Sequence, residues 1–203
     1  MTDVVIIGGG VIGLSIAREL SLSGKEIIVL EQNERAGDVT SSRNSGVIHA
    51  GIYFQEDFLK TKLCLEGNKL IYEYAKEKNI NHKQYGKYII ATNKSEIQSL
   101  EALFIQGKKN KVKIERVENE KVLHDNPGLV FQEALYSPNS GVIDVPEFVT
   151  ALEGDIQHSG GLISLRTSFL SSSREKDFFV INCKAEENFS IESKYLINCS
   201  GLS

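Results

Sequence analysis

The chain opens on an apolar run, Asp3–Ile7, passes through Gly8-Gly9-Gly10-Val11-Ile12-Gly13, and then carries apolar residues at helical spacing from Val11 to Leu22. That change of period predicts a strand, a glycine turn and a helix, with Ile12, Ile16 and Leu20 on one face of the helix. Ser23-Gly24 stops the helix, and Glu26–Leu30 reads as a second strand. Further on, Leu59, Leu63, Leu70, Ile71 and Tyr74 stand among lysines and glutamates, which predicts a long amphipathic helix over Phe58–Lys78 with one buried face. Tyr88–Thr92 reads as a strand, Ser95–Gln106 as a helix ending at Gly107, and Val112–Val117 as another strand. Pro127-Gly128 and Pro138-Asn139 mark turns. Asp144-Val145-Pro146 opens a helix that runs to His158, with Pro146 in the first turn, where its missing N–H costs nothing. Leu162–Leu165, Phe178–Asn182 and Tyr195–Asn198 complete the strands.

Alternating strands and helices of this kind predict an α/β fold with a parallel sheet. The right-handed crossover rule places Gly8–Gly13 at a strand-to-helix turn and Glu31 at the end of the neighbouring parallel strand. The glycines suit a particular ligand. Gly8 permits the tight turn, Gly10 lets backbone approach a pyrophosphate, and Gly13 lets helix and strand pack closely. The N–H groups of Val11 and Ile12, at the positive end of the helix dipole, then face the phosphates. Glu31, with Gln32 beside it, reads as the acceptor for a ribose 2′-hydroxyl and would repel a 2′-phosphate. The expected ligand is an adenine dinucleotide, FAD or NAD, and not NADP.

Composition narrows the classes. The chain has 203 residues, 23 basic and 27 acidic, for a net charge of −4, which offers no footprint for nucleic acid or an anionic membrane. Cys64, Cys183 and Cys199 lie far apart, without Cys/His clusters, so no metal site is expected and the thiols read as reduced. No apolar run is long enough for a transmembrane segment, and the chain begins almost at once with a strand, leaving no room for a signal peptide. The expected compartment is the cytoplasm.

Residues 40–54 are dense in hydroxyl, amide and glycine groups, with Val47, Ile48, Ile52, Tyr53 and Phe54 as apolar anchors. Such a segment suits the lining of a polar ligand. The string S-S-R-N-S-G-V-I-H-A-G-I-Y-F at 41–54, with G-G-G-V-I-G before it and L-C-L-E-G-N after it, resembles the FAD-dependent L-2-hydroxyglutarate dehydrogenases and oxidases, within the D-amino-acid oxidase-like flavoproteins. Tyr85-Gly86-Lys87, Pro138–Asp144, Gly160-Gly161 and Leu196–Leu202 continue the resemblance in family order.

The resemblance implies a Rossmann-like FAD-binding fold over 1–80 and 144–203, and part of an α+β substrate domain over 81–143. It implies FAD as cofactor and a 2-hydroxy dicarboxylate as substrate. Ser41, Ser42 and Arg43 are expected near the pyrophosphate, Asn44, Ser45 and Gly46 on the flavin side, and Phe169 and Gly201 along the adenine and flavin. Phe169 is bulkier than the valine usual at its position, but the contact expected there is through backbone. His49, with a pKa ordinarily near neutrality, is the expected general base. A purely hydrogen-bonding histidine and a covalent histidyl-flavin are the alternatives. Family members run on for about as many residues again, so the sequence reads as an N-terminal half, with a second polypeptide as one source of the remainder. The alternative function is a non-catalytic nucleotide-binding fragment.

Overall fold

The structure is a computed structural model that describes residues 1–202. In chain order its elements are β1 (Thr2–Ile7), α1 (Val11–Leu22), β2 (Ile27–Leu30), β3 (Val47–Ile48), α2 (Leu59–Glu77), β4 (His82–Lys83), β5 (Lys87–Ala91), α3 (Lys94–Lys109), β6 (Glu115–Val117), α4 (Asn119–Asp125), β7 (Glu133–Ser137), β8 (Gly141–Ile143), α5 (Val145–His158), β9 (Leu162–Ser164), β10 (Ser168–Arg174), β11 (Phe179–Lys184) and β12 (Asn188–Asn198). The chain divides into two compact units, Met1–Asn44 with the chain from Val145 onward, and Ser45–Asp144. The second cut lies beside the expected boundary at 143/144. The first falls well ahead of 80/81, because Ala50 and Ile52 belong to the core of the middle unit, with Leu65 of α2 packed against it.

The first unit is a sheet in the order β10-β11-β12-β1-β2-β9. β12, β1, β2 and β9 run parallel, while β10 and β11 are antiparallel additions at one edge. The apolar run of β1 explains its central place, since Val4, Val5 and Ile6 are all buried. The buried stripe of α1 is Gly13, Leu14, Ala17 and Ser21, not the expected Ile12, Ile16 and Leu20. The small residues are the ones that permit close packing, which leaves Ile12 exposed at the start of the helix. Arg18 of α1 donates to Asp155 of α5 at 2.7 Å, joining the two helices by a half-buried ion pair. Tyr195–Asn198 is the tail of the longer β12, and β10 extends through residues the sequence did not mark as a strand. Their serines and charges face solvent on an edge hairpin, so the apolar pattern is faint there.

The second unit holds two antiparallel sheets, β3-β8-β4 and β5-β7-β6. Its core gathers Ala50, Ile52, Ala91, Leu100, Ile114 and Leu135. α3 starts where Asn93 caps it, its side chain accepting from the N–H groups of Ser95 and Glu96. The helix does not end at Gly107. That glycine is buried in the last turns, where a side chain would press on Ile114. Only Glu115–Val117 of the expected Val112–Val117 strand forms, since Lys111 takes a left-handed turn (φ 58°) that bends the chain after α3. α2 spans nearly the predicted range, but Leu59, Leu63 and Leu70 are exposed and only Thr61 and Ala75 are fully buried. Among the described residues no helix is long and apolar enough to cross a membrane.

Candidate functional site

The nucleotide-binding residues of the first unit grow out of the β1-to-α1 turn. Gly8 continues the pairing of β1 with β2 by donating to the Leu30 carbonyl at 2.8 Å, in a positive-φ conformation (φ 99°) that a side chain would strain. A Cβ at Gly8 would also strike the Cys199 carbonyl beyond β12. A Cβ at Gly13 would strike the Gly8 carbonyl, so both residues are required by packing alone. Gly10 differs. Its missing Cβ would meet only the Ser41 hydroxyl, at 3.1 Å, which leaves open space at the head of α1. The N-cap residue of that helix, Gly10, has no side chain to cap it, and the first turn carries no acid. The Val11 N–H donates to Ser41 Oγ at 3.1 Å, and Ile12 stands exposed beside it. Exposed N–H groups at a dipole's positive end, with one serine hydroxyl, form an anion cradle.

Glu31 lies at the end of β2 as the crossover rule requires, and it is buried. Its Oε2 accepts from the Gly9 N–H at 2.8 Å, and its Oε1 from the Asn33 N–H at 2.9 Å and the Asn33 side-chain amide at 2.7 Å. A carboxylate offers about four lone-pair sites, so these three bonds leave one for a ribose hydroxyl. The main chain of Glu31 is fixed as well, donating to Ser164 at 2.9 Å and accepting from Thr167 at 2.8 Å. These residues therefore fit the adenosine-pyrophosphate half of FAD: open backbone for the phosphates and a fixed, charged acceptor for the ribose.

The remaining expected residues of this unit divide. Ser41 reaches the helix, whereas Ser42 donates to the Val39 carbonyl at 3.1 Å and Asn44 to the Ser41 carbonyl at 2.6 Å, so both brace their own loop. Gln32 and Arg43 are exposed. Phe169 lies in β10, packed against the cluster that includes Ile181 and Cys183, beside a bulge in the pairing with β11. Gly201 follows β12 in a left-handed conformation (φ 76°) and is exposed.

The middle unit carries its own group of expected residues, on the loop from Ser45 to Gln55. Ser45 is exposed. Gly46 is buried at φ 63°, and its carbonyl accepts from Ile143 at 2.9 Å. Ile48, Ala50 and Ile52 point into the protein, which turns His49 outward between them. Side-chain amides hold the loop by its carbonyls. Asn68 of α2 donates to His49 at 3.0 Å, and Asn110 at the end of α3 donates to Gly51 at 2.9 Å and Phe54 at 2.7 Å. The hydroxyl of Thr61 reaches the Gln55 carbonyl. His49 lines an open groove of about 580 Å³ with Phe54, Leu59, Lys60, Leu63 and Cys64. Lys60 Nζ stands 4.3 Å from the Phe54 ring and Lys87 Nζ 4.5 Å from the Tyr53 ring. Partial burial, and then the charges of Lys87 and Lys60, hold the His49 imidazole below its ordinary pKa of 6.5.

Sequence reasoning missed Gly9, Asn33, Asn68 and Asn110 as supports, and Lys60 and Lys87 as charges beside His49. Gly9, Asn68 and Lys87 lay within quoted motifs, Gly8-Gly9-Gly10, L-C-L-E-G-N and Tyr85-Gly86-Lys87, but nothing in those motifs gave their roles. Asn33, Lys60 and Asn110 are ordinary polar residues until folding brings them to a carbonyl, a carboxylate or the His49 ring.

Comparison with known proteins adds the context. Residues 3–203 match the family described as FAD dependent oxidoreductase. The chain is 35% identical over 229 residues to a protein named L-2-hydroxyglutarate dehydrogenase, mitochondrial, from Arabidopsis thaliana, covering 98% of this chain and 47% of the relative. It is 36% identical over 217 residues to the Homo sapiens protein of that name, covering 98% and 46%. The chain thus spans about half the length of the curated relatives it matches. Among solved structures, the dithionite-reduced L-alpha-glycerophosphate oxidase of Mycoplasma pneumoniae with FAD bound superimposes with a TM-score of 0.89 at 27% identity, covering 96% of this chain and 53% of that one. Glycine oxidase of Geobacillus kaustophilus shares the fold, with a TM-score of 0.88 at 22% identity over 98% of this chain and 55% of that one. Matched over residues 3–203, this protein is a member of the FAD dependent oxidoreductase family, with FAD as its cofactor.

Proposed function

We propose that the chain carries the FAD-binding and general-base portion of an L-2-hydroxyglutarate oxidoreductase, which converts the C2 alcohol of a 2-hydroxy dicarboxylate to a ketone. The observation that carries this reading is His49, held neutral on a braced loop beside two ammonium groups, Lys60 and Lys87. The curated relatives, whose names give L-2-hydroxyglutarate, support the choice of acid. Bound FAD supplies the hydride acceptor. The protein's part is to hold the substrate and remove its hydroxyl proton. Lys60 and Lys87 attract the carboxylates, and the neutral imidazole of His49 accepts the proton as C2 loses its hydride. Relatives carry about as much chain again outside the matched region, and we assign the other wall of the substrate pocket to that region, whether on the same or a second polypeptide. The exposed leucines of α2 favour the second reading, an FAD-binding fragment without turnover by itself.

Reduction of an electron-accepting dye by the FAD-loaded protein, supplied where necessary with the remaining region of a relative, separates the two. L-2-hydroxyglutarate is expected to drive it faster than L-alpha-glycerophosphate or glycine. Preference for an amino acid would contradict the proposal, and no turnover with any substrate would favour the fragment. The same assay reads the charge of Lys87. Because only neutral His49 accepts a proton, activity falls as pH drops through its pKa, which lies below 6.5. Lys87→Met removes a repelling cation, raises that pKa and moves the acid limb of the profile to higher pH, with a higher KM for the dicarboxylate. An unmoved limb would remove Lys87 from the neighbourhood of the base.

A further inference from the structure

The turn between β9 and β10 holds a feature that nucleotide binding through Glu31 does not explain. Arg166 sits in the left-handed region (φ 52°), a conformation ordinarily left to glycine or asparagine. The backbone is fixed there. Arg166 N–H donates to the Asn33 carbonyl at 2.9 Å, and the next residue, Thr167, donates to the Glu31 carbonyl at 2.8 Å. The turn is therefore stitched to the stretch that follows β2. Above the stitching, the guanidinium of Arg166 donates to Glu34 Oε1 at 3.0 Å, with the two side chains 72% and 75% exposed. An ion pair so exposed contributes little to folding and does not account for retaining a strained arginine.

Its position accounts for it. Glu31 keeps an acceptor site that a ribose hydroxyl would use, and the head of α1 lies where a pyrophosphate on one side of that ribose would sit. The adenine, joined to the other side of the ribose, must then lie over the residues beyond Glu31 and the turn stitched to them. A guanidinium is planar and delocalised, and it stacks on aromatic faces where an ammonium cannot. We propose that Arg166, paired with Glu34, stacks on the adenine of FAD and clasps that end of the cofactor. Phe169, partly buried against the cluster of Ile181 and Cys183, leaves this exposed edge to Arg166. The clasp belongs to the adenine alone and has no part in the chemistry at the flavin.

Titration of the full chain with FAD, ADP and FMN tests the clasp. Arg166→Ala is expected to weaken FAD and ADP equally, by about two- to fivefold, the worth of one exposed cation–π contact. FMN lacks adenine, so its affinity should not change. Arg166→Gly separates side chain from backbone. It relieves the left-handed strain, so thermal stability should hold or rise, yet FAD affinity should fall as in the alanine variant. Arg166→Lys keeps the charge but loses the planar face, and is expected to recover only part of the affinity. Unchanged FAD affinity in the alanine and glycine variants would overturn the proposal, as would a loss shared equally by FMN.

Discussion

Alanine at Gly10 is expected to weaken FAD binding at least about tenfold, roughly 1.4 kcal/mol, while leaving the fold intact. Alanine at Gly13 is expected to damage both. A Cβ at Gly10 meets nothing but the Ser41 hydroxyl, so the folded protein tolerates it. The space it fills is the space through which the head of α1 reaches the pyrophosphate. A Cβ at Gly13 instead collides with the Gly8 carbonyl and lies 3.4 Å from Cys199 Cβ, so α1 must move off the turn. Overpacking of this kind costs about 1–3 kcal/mol, a drop in Tm of about 2–4 °C for each kcal/mol in a chain of this size. Displacing α1 also carries its N–H groups away from the phosphates. Thermal melts and FAD titration on the two variants check the contrast. A Gly10→Ala protein that unfolds like Gly13→Ala would mean that the cradle is merely a packing feature.

Replacing His49 by alanine is expected to lower turnover of L-2-hydroxyglutarate by a factor of about 100 or more, the usual worth of a positioned acid–base group. The fold should not change. The structure uses the backbone carbonyl of His49, which accepts from Asn68, and the substitution keeps that carbonyl. The imidazole itself is turned outward, so its loss opens no cavity. With the base removed, the acid limb of the pH profile should flatten, whereas a residue that only positions substrate would leave the limb and raise KM. Steady-state kinetics across pH give both quantities. A loss of a fewfold with the limb intact would assign His49 to positioning.

The nucleotide half was legible in the sequence because its information is local. Apolar β1, the glycine turn, α1 and Glu31 follow one another in the chain, and each obeys a geometric rule that needs no distant partner. Even there the partner of Glu31 was not legible. Nothing in Gly8-Gly9-Gly10 says that the middle N–H, not only the ribose, bonds the carboxylate. The His49 loop was visible as a motif but its supports were not, since Asn68 and Asn110 act on carbonyls far away in the chain. The helix α2 shows another limit. Its periodicity predicts a buried apolar face, but periodicity cannot supply the partner that buries it, and Leu59, Leu63 and Leu70 stand exposed. The boundary between the units follows the same pattern. Composition does not change at Asn44, and only the burial of Ala50 and Ile52 with Leu135 and Ile114 assigns the loop to the middle unit.

Titration of the chain with FAD, FMN and NAD, followed by flavin fluorescence or heat, tests the central claim most directly. The glycine cradle and Glu31 are assigned to the half that FAD and NAD share, and Asn44, Ser45 and Gly46 to the flavin side. FAD is therefore predicted to bind more tightly than either NAD or FMN. Equal affinity for FAD and NAD would contradict it, leaving an adenosine site without a flavin site.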